Sequence, residues 1–167
     1  MSEKTIVLTA AQIEQKLERM VHEIHEKCYN ESEIIICGIE GNGTLISEKI
    51  SKKLKAISEI TVLLCQIKIN KENPLDFAAE LSIKSDVYKN KTIIVVDDVS
   101  NSGKTLIYAV KHFMDQPVKA IRTFVLVDRN HNRYPVNADF VGLSISTTLK
   151  ERIEVDITGA NQGVFLL

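Results

Sequence analysis

The sequence predicts an α/β fold, a mostly parallel central sheet flanked by helices, built as a single domain over residues 1–167. Three observations predict it. The runs Ile34-Ile35-Ile36-Cys37, Lys91-Thr92-Ile93-Ile94-Val95-Val96 and Ile121–Val127 are apolar or β-branched almost throughout rather than alternating, as strands covered on both faces are. Segments of helical periodicity lie between them. A chain of 167 residues, 44% hydrophobic and 26% charged, is long enough to bury one sizeable core.

The first helix is expected from Thr9 to Cys28. Ile13, Leu17, Met20, Val21, Ile24 and Cys28 recur at helical spacings, and Thr9 can cap the start. The strand Ile34–Cys37 ends at Gly38, and a loop Gly38–Gly43 leads into a helix carrying Leu45, Ile46, Ile50 and Leu54 on one face. A strand around Ile60–Ile69 precedes a polar stretch, Asn70–Asp76, that contains Pro74. Lys91–Val96 reads as a second central strand, terminated by Asp97-Asp98. After a loop Val99–Gly103, a helix begins near Lys104 and turns Leu106, Ala109, Val110 and Phe113 inward. Ile121–Val127 is the next strand, with shorter candidates at Asp139–Leu143, Ile153–Ile157 and Val164–Leu167. Ligands of such sheets bind where strands end and helices begin. That selects two loops, Gly38–Gly43 and Asp97–Thr105.

Composition narrows the function classes. A net charge of −1 argues against a nucleic-acid binder held by bulk charge. No apolar run reaches the ~18–20 residues of a membrane span, and Met1-Ser2-Glu3-Lys4 lacks the apolar core of an export signal. The three cysteines, Cys28, Cys37 and Cys65, show no C-x-x-C spacing and fall in apolar segments. Buried, reduced thiols in a cytoplasmic protein without zinc are expected. His22 and His25 lie three apart on a helix with no third ligand in view, and read as surface or structural.

The segment from Ile93 to Thr105 concentrates the chemistry. Asp97 and Asp98, at the carboxyl end of a buried strand, can accept hydrogen bonds from vicinal hydroxyls or hold a hydrated Mg2+. Ser102-Gly103-Lys104-Thr105 then supplies helix-terminal N–H groups, two hydroxyls and a cation, a set suited to a phosphate monoester. The helix end alone contributes about 0.3–1 kcal/mol at an exposed site, so fixed hydrogen bonds must carry most of the affinity. Gly103-Lys104-Thr105 also matches the end of a nucleoside-triphosphate P-loop. That motif needs glycine at position 98, where Asp98 would set a carboxylate against the phosphates.

Asp97-Asp98 followed by Ser102-Gly103-Lys104-Thr105 resembles the phosphoribosyl pyrophosphate signature of type I phosphoribosyltransferases, Val-Asp-Asp-Val-x-x-Thr-Gly-Arg-Thr, with Ser102 for Thr and Lys104 for Arg. The resemblance implies the fold of that family. It also implies that Asp97 and Asp98 contact the ribose hydroxyls while Ser100, Asn101, Ser102, Gly103, Lys104 and Thr105 bind the 5′-phosphate. The segment Val125–Gly142, with Asp128-Arg129-Asn130-His131 at its head, is similar to the Leu-Val-Asp-Arg-Gly-His-Arg-Glu-Leu-Pro-Ile-x-Ala-Asp-Tyr-x-Gly stretch of the pyrimidine operon attenuator/uracil phosphoribosyltransferase family. Ile145–Glu151 and Val21-His22-Glu23-Ile24 also resemble that family. Its members convert uracil to UMP, and many bind the leader RNA of pyrimidine genes.

Arg129 and His131 lie past a strand end, where a base can dock, and offer donors for carbonyl or phosphate oxygens. Purine members of the wider family commonly place an aspartate where Asn101 stands. An amide cannot act as a general base, which favours a pyrimidine or some other base over hypoxanthine or guanine. Two stretches depart from the pattern. The family's pyrophosphate loop, Gly-Ile-Lys-Thr-Arg-Gly, is replaced by Gly38-Ile39-Glu40-Gly41-Asn42-Gly43. Losing one oxyanion donor costs about 2.7–4 kcal/mol. A carboxylate ~4 Å from the leaving group adds repulsion on the order of 4 kcal/mol at an effective dielectric of 20. The amides of Gly41, Asn42 and Gly43 remain as an anion nest. The family's longer lid carries Arg-Asp-Asp-Leu; here Lys68–Leu75 is shorter, leaving Lys68 or Lys71 to reach pyrophosphate as point charges.

The resulting expectation is a Mg2+-dependent phosphoribosyltransferase that takes phosphoribosyl pyrophosphate and a nucleobase, uracil first. Asp97, Asp98, Lys68 and Lys71 would be catalytic, with Mg2+ held by Asp97 and Asp98 through water. The alternatives are a regulator that senses a mononucleotide without turnover, its RNA-binding variant using Lys52, Lys53 and Lys55, and a generic phosphate-binding α/β domain. No membrane partner is expected, RNA is the lesser expectation, and a homodimer or higher homo-oligomer is anticipated.

Overall fold

The computed structural model describes residues 4–167; Met1–Glu3, read above as lacking an export core, lie outside the described residues. In chain order the elements are β1 (Thr5–Thr9), α1 (Ala10–Cys28), β2 (Glu33–Ile39), α2 (Asn42–Ile57), β3 (Thr61–Lys68), β4 (Glu80–Leu81), α3 (Ser85–Tyr88), β5 (Thr92–Ser100), α4 (Lys104–Phe113), β6 (Ala120–Asp128), β7 (Phe140–Ser144), β8 (Ile153–Asp156) and β9 (Gly163–Leu166). A six-stranded sheet runs in the order β4-β3-β2-β5-β6-β7, with β4 its antiparallel member. A separate three-stranded antiparallel sheet has the order β1-β9-β8.

The continuous apolar runs have a direct structural cause. Alternate residues of one strand enter different cores: Ile34 and Ile36 pack with α1 and α2, whereas Ile35 and Cys37 pack with α4. Helix α1 buries the six residues its periodicity selected, and Thr9 closes a capping box with Gln12 (Thr9 N to Gln12 Oε1 2.9 Å, Gln12 N to Thr9 Oγ1 3.2 Å). Cys28, Cys37 and Cys65 are free and buried. Cys37 and Cys65 are register partners, and their mutual hydrogen bond, with burial, pushes the Cys37 thiol well above its usual range. Among the described residues no helix is long and apolar enough to cross a membrane.

The sequence reading and the structure differ in four places, one of them Val110 of α4, which is only half-buried while Leu106, Ala109 and Phe113 turn inward. Strand β5 continues through the acids to Ser100, because β6 extends beside it and pairs Asp97 with Val125 and Ser100 with Asp128. The loop predicted over Gly38–Gly43 contracts to Glu40-Gly41, since β2 runs to Ile39 and α2 starts at Asn42. That contraction requires glycine at position 43, where a Cβ would lie 2.6 Å from the Val96 carbonyl oxygen. Finally β1, β4 and α3 form where no element was expected, and β1 pairs with β9 to make the second sheet.

Candidate active site

The carboxyl ends of β5 and β6 open into a cavity of about 430 Å³. Its floor is Asp97 to Gly103, and its far wall is the first turn of α4. Gly103 caps α4 in the left-handed region (φ 82°), and a Cβ there would come 2.7 Å from Val136 Cγ1. A glycine cap brings no side-chain acceptor to the helix end. Lys104 N donates to Ser102 Oγ at 3.3 Å, and the amides of Thr105 and Leu106 find no acceptor among the described residues. They are the orphan donors of a helix N-terminus, aligned with its dipole. The loop itself is pinned from outside: Ser102 O accepts from Arg133 N (2.8 Å) and Tyr134 N (3.1 Å), and Ser100 O from Arg129 N (3.0 Å).

Opposite the helix end stand the two acids. Asp97 is 2% exposed. Its Oδ1 accepts from Lys71 Nζ at 3.2 Å and from Asp98 N at 2.9 Å. Burial, and then the charge of Asp98, push Asp97 up to about 7 against the pull of Lys71. Burial works against the charge of Lys71 too, but attraction to Asp97 and Asp98 outweighs it and raises the ammonium above its usual range. Asp98 accepts from Val99 N at 2.8 Å through Oδ1 and from Asn42 Nδ2 at 2.8 Å through Oδ2. Asn42 also donates to Val155 O at 2.9 Å, so one amide ties α2, Asp98 and β8 together.

The residues singled out from the sequence separate into groups. Asp97, Asp98, Ser100, Asn101, Ser102, Gly103, Lys104, Thr105, Arg129 and Lys71 all line this cavity. Lys104 directs its ammonium to the Glu72 carbonyl (2.9 Å), so with Lys71 it fastens the Asn70–Asp76 segment over the site. Arg129, only 9% exposed, donates to Thr147 Oγ1 (2.9 Å), Asn101 Oδ1 (2.8 Å), Thr148 O (3.1 Å) and Glu151 O (2.7 Å). Four of its five donors are thereby committed to the protein. His131 Nε2 donates to Thr147 O at 2.7 Å and lines a neighbouring cavity of about 640 Å³. Lys68 and Glu40 share a third cavity, of about 330 Å³, with Phe77. Gly41, Asn42 and Gly43 are not among the residues lining the main cavity.

Arg133 and Arg152 also line the main cavity and were missed in the sequence. Arg152 has no local signal: it is carried there by pairing of its backbone with Leu167 (3.0 and 2.9 Å). Arg133 sits five residues beyond the end of β6 and two past His131, in a stretch already singled out, which was the available clue. With Lys71, Lys104 and Arg129 they set five cations against Glu72, Asp97 and Asp98. The cavity is therefore positive in a chain whose net charge is −1. The basic face proposed for RNA differs: Lys53 pairs with Glu14 (3.1 Å) and Glu18 (2.9 Å), and Lys49 with Glu14 (2.9 Å).

Residues 4–156 match the phosphoribosyl transferase domain family. Proteins named bifunctional protein PyrR from Geobacter sulfurreducens and Bacillus cereus are each 32% identical to the chain, covering 97% of it and 96% and 95% of their own lengths. Among solved structures, hypoxanthine phosphoribosyltransferase of Trypanosoma cruzi, complexed with IMP, superposes with a TM-score of 0.81 at 14% identity, covering 99% of this chain and 84% of that one. A hypoxanthine-guanine phosphoribosyltransferase of Bacillus anthracis gives 0.70 at 20% identity, covering 86% and 84%. These two likenesses concern the fold.

Proposed function

The chain belongs to the phosphoribosyl transferase domain family, and from that premise we propose that it transfers the phosphoribosyl group of phosphoribosyl pyrophosphate to a nucleobase. Uracil is the first candidate, giving UMP and pyrophosphate. One observation carries the reading: a carboxylate pair and an uncapped helix end face one positive cavity, as a sugar held by its diol and its 5′-phosphate requires. Asp97 and Asp98 accept the ribose hydroxyls. The amides and hydroxyls of Ser102, Gly103 and Thr105 take the phosphate, with Ser100 beside it and Asn101 at the edge toward the base.

A base nitrogen then attacks the anomeric carbon while the bond to pyrophosphate breaks, so positioning and neutralisation of the leaving group dominate. Lys71, Arg133 and Arg152 supply that neutralisation from the cavity wall. Lys68 lies outside this cavity and would join only if the segment after β3 moves. Among the described residues no cluster of three or more acidic, histidine or cysteine side chains could cage a metal. Two carboxylates alone suit a hydrated Mg2+ that arrives on the substrate's diphosphate, held by Asp97 and Asp98 through water. Bound there, it would offset the pyrophosphate charge. Reduced, buried cysteines agree with a cytoplasmic setting.

A second reading, a mononucleotide-sensing regulator without turnover, is favoured by Glu40 in the first loop and by the commitment of Asn42 to Asp98. Pyrophosphate release measured with phosphoribosyl pyrophosphate, Mg2+ and each of uracil, other pyrimidines and purines decides between the two. Release with uracil supports transfer. Absence of release with every base, while UMP raises the melting temperature, supports the regulator; neither response overturns both.

A further inference from the structure

We propose that Asn101 is a specificity-determining residue: it presents a hydrogen-bond donor, in an orientation fixed by Arg129, to a carbonyl oxygen of the base. The inference rests on reading the cavity as a nucleotide site and adds the polarity of one contact within it. An asparagine amide on a surface can rotate and offer either its oxygen or its NH2. This one is constrained. Arg129 Nη1 lies 2.8 Å from Asn101 Oδ1, and a guanidinium has donors only, so the oxygen must face it. Turning the amide over would oppose donor to donor and leave the nearly buried Arg129 Nη1 without its acceptor.

Arg129 cannot swing away to relieve such a clash. Its Nε and Nη2 are held by Thr147 Oγ1, Thr148 O and Glu151 O. The Asn101 NH2 therefore faces away from Arg129, and it makes no hydrogen bond among the described residues. Asn101 is exposed and belongs to the walls of both the 430 Å³ and the 640 Å³ cavities, where they meet. A ligand arriving there meets a donor and must answer with an acceptor. A keto base does so, whereas an amino group at the same place opposes donor to donor. Arg129 acts through Asn101 and is a positioning residue.

Calorimetric titration of the intact protein with UMP, 2-thio-UMP and 4-thio-UMP tests this, because sulfur for oxygen weakens one acceptor at a time. Wild type is expected to bind one of the two thio analogues about 3–10-fold more weakly than UMP. In Asn101→Ala the three should bind alike. Asn101→Asp, which keeps an oxygen on Arg129 but replaces the NH2 by a second oxygen, should weaken UMP more than alanine does. Melting curves confirm that the variants are folded. If UMP binds and the preference is absent, or survives in Asn101→Ala, the inference is overturned while the site reading stands. If UMP and the other mononucleotides all fail to bind, the site reading falls and the inference with it.

Discussion

Two strand-to-helix turns lie side by side in this molecule and have become different things. The turn from β2 into α2 and the turn from β5 into α4 leave adjacent parallel strands. Each helix is capped by a glycine at positive φ, Gly41 at 103° and Gly103 at 82°, with no side-chain cap bond. On local grammar alone both are anion sites. Yet the first helix end is pressed onto β5, with no room for a Cβ between Gly43 and Val96 O, and its Asn42 is spent on Asp98 and Val155. The second faces the cavity. What separates a turn open to a cavity from a supporting one is which neighbour the helix end meets, not the turn itself.

The largest effect that would sharpen this comparison is on ligand binding. Removing both carboxylates, as Asp97→Ala with Asp98→Ala, is expected to weaken phosphoribosyl pyrophosphate at least about 100-fold, at 1.5–3 kcal/mol for each hydrogen bond to a charged group. Competition binding measures it, and an unchanged affinity would place the sugar elsewhere.

The next effect is on stability against pH. Asp97 titrates near 3.8 in the unfolded chain and at about 7 in the fold, so the native state holds a proton that the unfolded state has released. Its contribution is full below 3.8 and is lost as pH rises through 7. Between pH 5 and pH 8 wild type should lose on the order of 3 kcal/mol relative to Asp97→Asn in urea unfolding. That window stays clear of Glu14 and Glu31, whose carboxyls are held low by hydrogen bonds from Lys49 and Lys119. Parallel slopes for the two proteins would show that Asp97 is ionised throughout.

Smaller again is the contrast between the two cap glycines. Gly103→Ala meets both a positive φ and a Cβ 2.7 Å from Val136, and should cost about 1–3 kcal/mol and abolish phosphate protection against thermal unfolding. Gly41→Ala meets only the backbone strain, with nothing within 4 Å of its Cβ, so phosphate protection should persist. Equal loss of protection in the two would erase the distinction. Smallest is Asn42→Ala, expected to lower stability by about 1–2 kcal/mol while leaving mononucleotide affinity within a few-fold.

The central strands were legible because burial on two faces writes uninterrupted apolar runs, and the acids with Ser102–Thr105 because all lie within nine residues of one another. Pairing of distant segments left no such trace. Strand β1 finds its partner at the far end of the chain, and Arg152 reaches the cavity through its bonds to Leu167. Arg129 was readable as a donor near the site, but not its attachment to Thr147, Thr148 and Glu151, which depends on where a later loop folds back. The Gly38–Gly43 loop was readable as glycine-rich, but not that its asparagine would turn to Asp98.

The most direct measurement is the crystal structure of the protein soaked with phosphoribosyl pyrophosphate and Mg2+. The account predicts the ribose hydroxyls within hydrogen-bond distance of Asp97 and Asp98, and the 5′-phosphate on the Ser102–Thr105 amides. Sugar bound at the α2 turn instead, or a cavity without sugar in which Lys71 still grips Asp97, would contradict it.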